Sequence, residues 1–194
     1  MRIGEFSRKT GETDITVKIN LDGTGRYTLE SGVPFFDHML TMLAKHGLMD
    51  LEIACKGDTE VDDHHTIEDL GITLGEAMKR ALGDKAGICR YATQFLPMDE
   101  ALVMVSLDIS GRPYLSYDVE FFTERTGNFE ACLLEEFLRG FAFAAGITLH
   151  VKKIDGRNTH HIIEAVMKAL ARALDQATQV DPRVQGIPST KGAL

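Results

Sequence analysis

Two short stretches of the chain carry the same pattern of metal-binding side chains. Residues 62–69 read DDHHTIED and residues 156–165 read GRNTHHIIEA, so His-His-x-x-Glu occurs at His64–Glu68 and again at His160–Glu164. The chain has 7 histidines, and these two pairs account for four of them. On an α-helix, positions i and i+4 lie on one face, one turn apart. His64 with Glu68, and His160 with Glu164, each then form a two-donor clamp. The neighbouring His65 and His161 project roughly 100° around the axis and must serve something else. Two such helices related by a pseudo-twofold would close two sites, one from His64, Glu68 and His161, the other from His160, Glu164 and His65. Imidazole and carboxylate donors without thiolate suit Mn²⁺, Fe²⁺ or Zn²⁺. They argue against a structural zinc knot. A lone HHxxE is usually the solvated start of a helix. Its recurrence at equivalent points of a repeat, where the apolar positions have diverged, favours metal binding.

That repeat runs through the chain. Residues 15–27, ITVKINLDGTGRY, match 102–114, LVMVSLDISGRPY, with Asp22, Gly25 and Arg26 opposite Asp108, Gly111 and Arg112. FFDHMLTMLAKHG at 35–47 and EACLLEEFLRGFAFAAG at 130–146 read as amphipathic helices stopped by glycine. LMDLEIACKG (48–57) and ITLHVKKIDG (147–156) read as strands, and 64–83 and 160–177 as long helices. Each half is strand–strand–helix–strand–helix. The expected fold is α+β, an internally duplicated unit with helices on one face of the sheet. It forms one domain over 1–194 from halves of about 1–92 and 93–194. The repeat also offers a fourth donor to each site, His38 in the first half and Glu136 in the second. Asp62 and Asp63 are expected to cap a helix, like Asn158 and Thr159 in the second copy.

Composition narrows the class. The formal charge of −8 argues against a nucleic-acid face, and no apolar run approaches a membrane span. The N-terminus lacks the apolar core of a secretory signal. Cys55, Cys89 and Cys132 form no CxxC motif and suit reduced thiols in the cytoplasm.

RIGEFSRKTGET, LDGTG, GVPFFDHML, DDHHTIED, LDISGRPY, GITLHV, GRNTHHIIEA and the tail IPSTKGAL occur in order over nearly the whole chain. Together they closely resemble the imidazoleglycerol-phosphate dehydratase family. The resemblance implies a carbon–oxygen hydro-lyase of histidine biosynthesis, converting D-erythro-imidazole glycerol phosphate to imidazole acetol phosphate. It implies a duplicated fold like domain 2 of ribosomal protein S5. It implies two Mn²⁺ ions per site, one on His38, His65, His160 and Glu164, the other on His64, Glu68, Glu136 and His161. Many family members carry histidine where this chain has Glu136. The family also implies a homo-oligomer of 24 subunits with active sites between subunits.

The substrate class has three handles, an imidazole, a diol and a phosphate. The hydrogen to be lost is not acidic, because no carbonyl activates it. Charge must therefore be carried by the ring, and a metal on each ring nitrogen would favour the imidazolate, which expels the neighbouring hydroxide. The resemblance makes Glu12 the base and substrate contact; on sequence alone it is a solvated strand-end carboxylate. His46 would assist proton transfer, or is a histidine favoured by the helix C-terminus. Arg90, Arg112, Ser189, Thr190 and Lys191 match the family's substrate contacts, and the cations suit the phosphate. Arg26 is expected to be structural. The rivals are a dinuclear metal hydrolase and a non-enzymatic metal-binding or ribosome-associated module.

Overall fold

In the computed structural model, which describes residues 1–194, each half carries three strands of its four-stranded sheet before its first helix, one more than the sequence pattern suggests, and the second half adds a two-stranded hairpin. The first half runs β1 (Ile3–Lys9), β2 (Thr13–Asn20), β3 (Tyr27–Glu30), α1 (Pro34–Gly47), β4 (Asp50–Gly57) and α2 (His64–Leu82). The second runs β5 (Tyr91–Met98), β6 (Ala101–Asp108), β7 (Tyr114–Asp118), a short hairpin β8 (Arg125–Thr126) and β9 (Phe129–Glu130), α3 (Leu133–Ala145), β10 (Thr148–Asp155) and α4 (Thr159–Thr178). The extra strands β3 and β7 are short sheet edges with no fully buried residue, so they lack an alternating apolar signal.

The two sheets have the same order, β1-β2-β4-β3 and β5-β6-β10-β7. All pairings within them are antiparallel except β3 with β4 and β7 with β10. Period-two burial drives this. Ile15, Val17 and Ile19 of β2, and Val103, Val105 and Leu107 of β6, point inward. Each sheet is covered by helices on that inner face. α2 lies on β1 and β2, and α4 on β5 and β6.

The helices pair across the halves, α2 with α3 and α1 with α4. A core cluster of 48 buried residues draws on both halves. The pairing explains why donors far apart in sequence meet, since α1 carries His38 to α4, and α3 carries Glu136 along α2. The α2–α3 crossing is close because its contact residues are glycines. A Cβ on Gly71 would lie 2.3 Å from the Phe137 carbonyl oxygen, and one on Gly140 would lie 2.8 Å from that of Glu68. Glu136 sits one turn before Gly140 on the same face, at the end of α3 that lies beside the head of α2.

Gly71→Ala is therefore expected to destabilise the protein. Overpacking against backbone costs about 1–3 kcal/mol, against a helix-propensity gain of up to about 1 kcal/mol. Thermal melting at fixed protein concentration should fall by several degrees. Gly11→Ala, where the new Cβ meets nothing within 4 Å, should not shift it.

Candidate active site

Both His-His pairs are set in place by caps. The Asn158 side chain accepts from the His160 and His161 backbone N–H groups at 3.0 and 3.4 Å. At the equivalent point Asp62 accepts from His64 N–H at 2.8 Å. Asp63 forms no side-chain cap bond, so Asp62 alone does the capping expected of the pair.

At the head of α4, His160 Nε2 lies 3.2 Å and His38 Nε2 3.5 Å from the same Glu164 oxygen. One donor atom from each of the three residues lies within 4.8 Å of the others. Phe35 meets the His160 ring edge-on, centroids 5.3 Å apart. Glu164 is only 7% exposed. Burial raises its pKa, but the Lys168 ammonium, 2.6 Å from its second oxygen, and His160 outweigh that and hold it below the ordinary value. The carboxylate stays ionised, as a cation ligand must. Two imidazoles and one carboxylate at this spacing fit a divalent first-row ion.

The matching clamp on α2 is looser, with His64 Nε2 3.8 Å from Glu68 Oε2. Glu136 is half-buried and forms no hydrogen bond or ion pair, which leaves its carboxylate free as a donor. His65 and His161 join neither cluster within the chain. Their rings stand at 84° and 85° to those of their neighbours, as the helical step requires. His65 turns to Asp58 and Glu12, and His161 to Glu100 and Asp99. Hydrogen bonds donated to the Asp58 and Glu100 carboxylates are the main reason both histidines are more basic than usual. His161 in turn is the main reason the Glu100 pKa falls to about 2.

Glu12 stands in the β1–β2 turn, where its N–H donates to Thr10 Oγ1 at 3.1 Å. Its carboxylate is 3.6 Å from His65 Nε2, beside a predicted metal donor. His46 ends α1, and its pKa is lowered, first by burial and then by Lys168 and Arg172 of α4. A histidine stabilised by the helix dipole would shift the other way. The imidazole is thus kept neutral and able to accept a proton.

The five predicted phosphate contacts share one cleft of about 570 Å³, lined by Arg90, Tyr91, Arg112, Ser189, Thr190 and Lys191, with Pro188. Arg90 is nearly buried and already engaged. It donates to both Asp108 oxygens at 2.7 and 3.1 Å and to the Pro188 carbonyl at 2.7 Å. Its role within the chain is to tie the tail down. Arg112, 3.7 Å from Asp108, and Lys191 are exposed cations of the cleft. Arg26 contributes a backbone N–H to Asp50.

Sequence reasoning missed Lys168, Asp58 and Glu100. Lys168 was accessible, because it lies four residues after Glu164 on one helix face. Asp58 and Glu100 lie in irregular segments, where no periodicity points to them.

The family model described as imidazoleglycerol-phosphate dehydratase matches residues 31–174. The dehydratase of Acetivibrio thermocellus is 62% identical over 190 residues, covering 98% of this chain and 97% of its own. That of Caldanaerobacter subterraneus subsp. tengcongensis is 60% identical over 194 residues and the full length of both. The crystal structure of the Staphylococcus aureus dehydratase superposes with a TM-score of 0.84 at 39% identity, covering 92% of this chain and 99% of that one. The Pyrococcus furiosus dehydratase in complex with (S)-C348 gives 0.84 at 40% identity, covering 97% and 99%. With its donor clusters, its cationic cleft and full-length identity of this order, the chain belongs to the imidazoleglycerol-phosphate dehydratase family.

Proposed function

We propose that this chain removes water from D-erythro-imidazole glycerol phosphate to give imidazole acetol phosphate in histidine biosynthesis. It does so in the cytoplasm, with two Mn²⁺ ions per active site, as a homo-oligomer of 24 copies. The observation that carries the reading is the convergence of His38, His160 and Glu164 in a chain of this family. No helix is long and apolar enough to cross a membrane. Manganese, when bound, supplies Lewis-acid stabilisation of negative charge on the imidazole nitrogens.

The donors are His38, His65, His160 and Glu164 for one ion, and His64, Glu68, Glu136 and His161 for the other. Arg112, Lys191, Ser189 and Thr190 hold the phosphate, and Arg90 holds the tail that carries three of them. Glu12 takes the proton from the carbon next to the one losing hydroxide. His46, neutral, relays a proton. The enol so formed ketonises to the product.

One chain cannot present all of this to one substrate. Arg90 N–H bonds to the Ala177 carbonyl at the C-terminal end of α4, whereas His160 and His161 sit at its head. At 1.5 Å per residue those ends are about 26 Å apart. The β5–β6 hairpin agrees, because Tyr91 pairs with Asp108 at the cleft end, and the turn with Glu100 lies at the other. A small phosphorylated imidazole does not span that distance. His65 and His161 also point away from the clamps of their own chain. Active sites assembled between copies, with the cleft of one facing the metals of another, satisfy both facts.

The test is product identity. Incubation with imidazole glycerol phosphate should yield the keto product without release of inorganic phosphate. Phosphate release instead would reverse the assignment in favour of a metal hydrolase. Lys191→Ala should raise KM about tenfold with kcat little changed, as loss of one charge-assisted phosphate contact of about 1.5 kcal/mol predicts. An unchanged KM would remove the tail from the phosphate site.

A further inference from the structure

The two histidines that leave their own clamps are each held on the inner ring nitrogen by a carboxylate. His65 Nδ1 lies 3.0 Å from Asp58 Oδ2, and His161 Nδ1 lies 2.7 Å from Glu100 Oε2. A carboxylate only accepts, so in the neutral ring Nδ1 carries the hydrogen and Nε2 keeps the lone pair. Nε2 is the outward atom in both, 3.6 Å from Glu12 and 3.8 Å from Asp99.

Neither carboxylate is placed by accident of the chain. Asp58 Oδ1 is buried without a partner, so His65 is the sole side-chain partner of a carboxylate held at a desolvation cost. Glu100 Oε1 accepts from the Arg157 and Asn158 N–H groups at 3.2 and 2.7 Å, which fixes Oε2 on His161. The halves also reach this arrangement by different routes. Asp58 follows β4, while Glu100 lies in the β5–β6 turn. In the repeat, Gly57 corresponds to Gly156, so the counterpart of Asp58 is Arg157, which cannot accept. Duplication did not copy the contact. Each half supplies its own acceptor to the same histidine nitrogen.

We infer that Asp58 and Glu100 are positioning residues that fix the Nδ1–H tautomer of His65 and His161 and present Nε2 as a metal donor to the clamp of a neighbouring copy. This rests on the metal reading above. An imidazole whose other N–H is bound by a carboxylate is oriented and made a stronger ligand.

Asp58→Asn and Glu100→Gln keep the shape but remove the anionic acceptor; in Glu100→Gln the carbonyl oxygen stays on the Arg157 and Asn158 N–H groups, so the amide NH₂ faces Nδ1 and favours the wrong tautomer. Two readouts test this on the full-length assembled protein. Solid-state ¹⁵N NMR of metal-free, ¹⁵N-histidine-labelled wild type should show Nδ1–H at His65 and His161, assigned with His65→Gln and His161→Gln. Glu100→Gln should change the His161 signature and leave His150 alone. Mn²⁺ titration followed by EPR should show one of two ions per chain bound about 10–100-fold more weakly in each variant, at unchanged melting temperature. If Asp58→Asn fails to assemble, Glu100→Gln, on an exposed turn, carries the test. Wild type binding two Mn²⁺ while the variants keep that affinity within about twofold would overturn this inference and leave the metal reading standing. Wild type that binds no Mn²⁺ would overturn both.

Discussion

Glu164→Ala should lose one of two Mn²⁺ ions per chain and about 10³-fold or more in turnover. Glu164 is the only carboxylate in the His38–His160 cluster, and one of its oxygens faces both imidazoles. Its removal leaves two neutral donors and the Lys168 ammonium, which repels a cation from 2.6 Å beyond the former carboxylate. A metal stabilising transition-state charge contributes several kcal/mol. At 1.36 kcal/mol per tenfold, that is about three decades. Metal content and single-turnover kinetics on the folded variant measure both quantities. Full metal content with wild-type turnover would remove Glu164 from the site.

Glu12→Gln should separate binding from chemistry. A general base contributes about 10²–10⁴-fold, so kcat should fall by that factor. KM and Mn²⁺ content should stay near wild type, because the proposed site holds the phosphate elsewhere and does not count Glu12 among the metal donors. The turn itself is held by Thr10, which accepts from the Glu12 and Thr13 N–H groups, so the neutral amide should leave the backbone in place. Near-normal kcat in a folded, metal-loaded variant would exclude Glu12 as the base.

Part of this site is legible in the sequence, and part depends on how the chain folds. The i, i+4 clamps were readable because helical periodicity fixes His160 against Glu164 and His64 against Glu68 without knowledge of the fold. The duplication was readable because Asp108-x-x-Gly111-Arg112 repeats Asp22-x-x-Gly25-Arg26. The residues alone offer His38 as a fourth donor without saying to which clamp; the family resemblance groups it with His160, and the pairing of α1 with α4 across the halves is what brings the two together. Apolar stripes on α1 and α2 say that each must be buried, not against which partner. The edge strands β3 and β7 were lost because half-exposed edges show no inward–outward alternation. Arg90 was legible as a candidate phosphate contact; its bonds to Asp108 and to the Pro188 carbonyl, which tie the tail to the cleft, depend on the fold. The carboxylates on His65 and His161 come from irregular turns, where contact is set by the path of the chain.

The most direct test of the account is dehydratase turnover on imidazole glycerol phosphate by chelated protein, with and without added Mn²⁺. Chelated protein should show no turnover, and activity should return as Mn²⁺ reaches two ions per chain. Turnover that survives complete metal removal would contradict the role given to the paired HHxxE helices. So would its absence in protein carrying both ions.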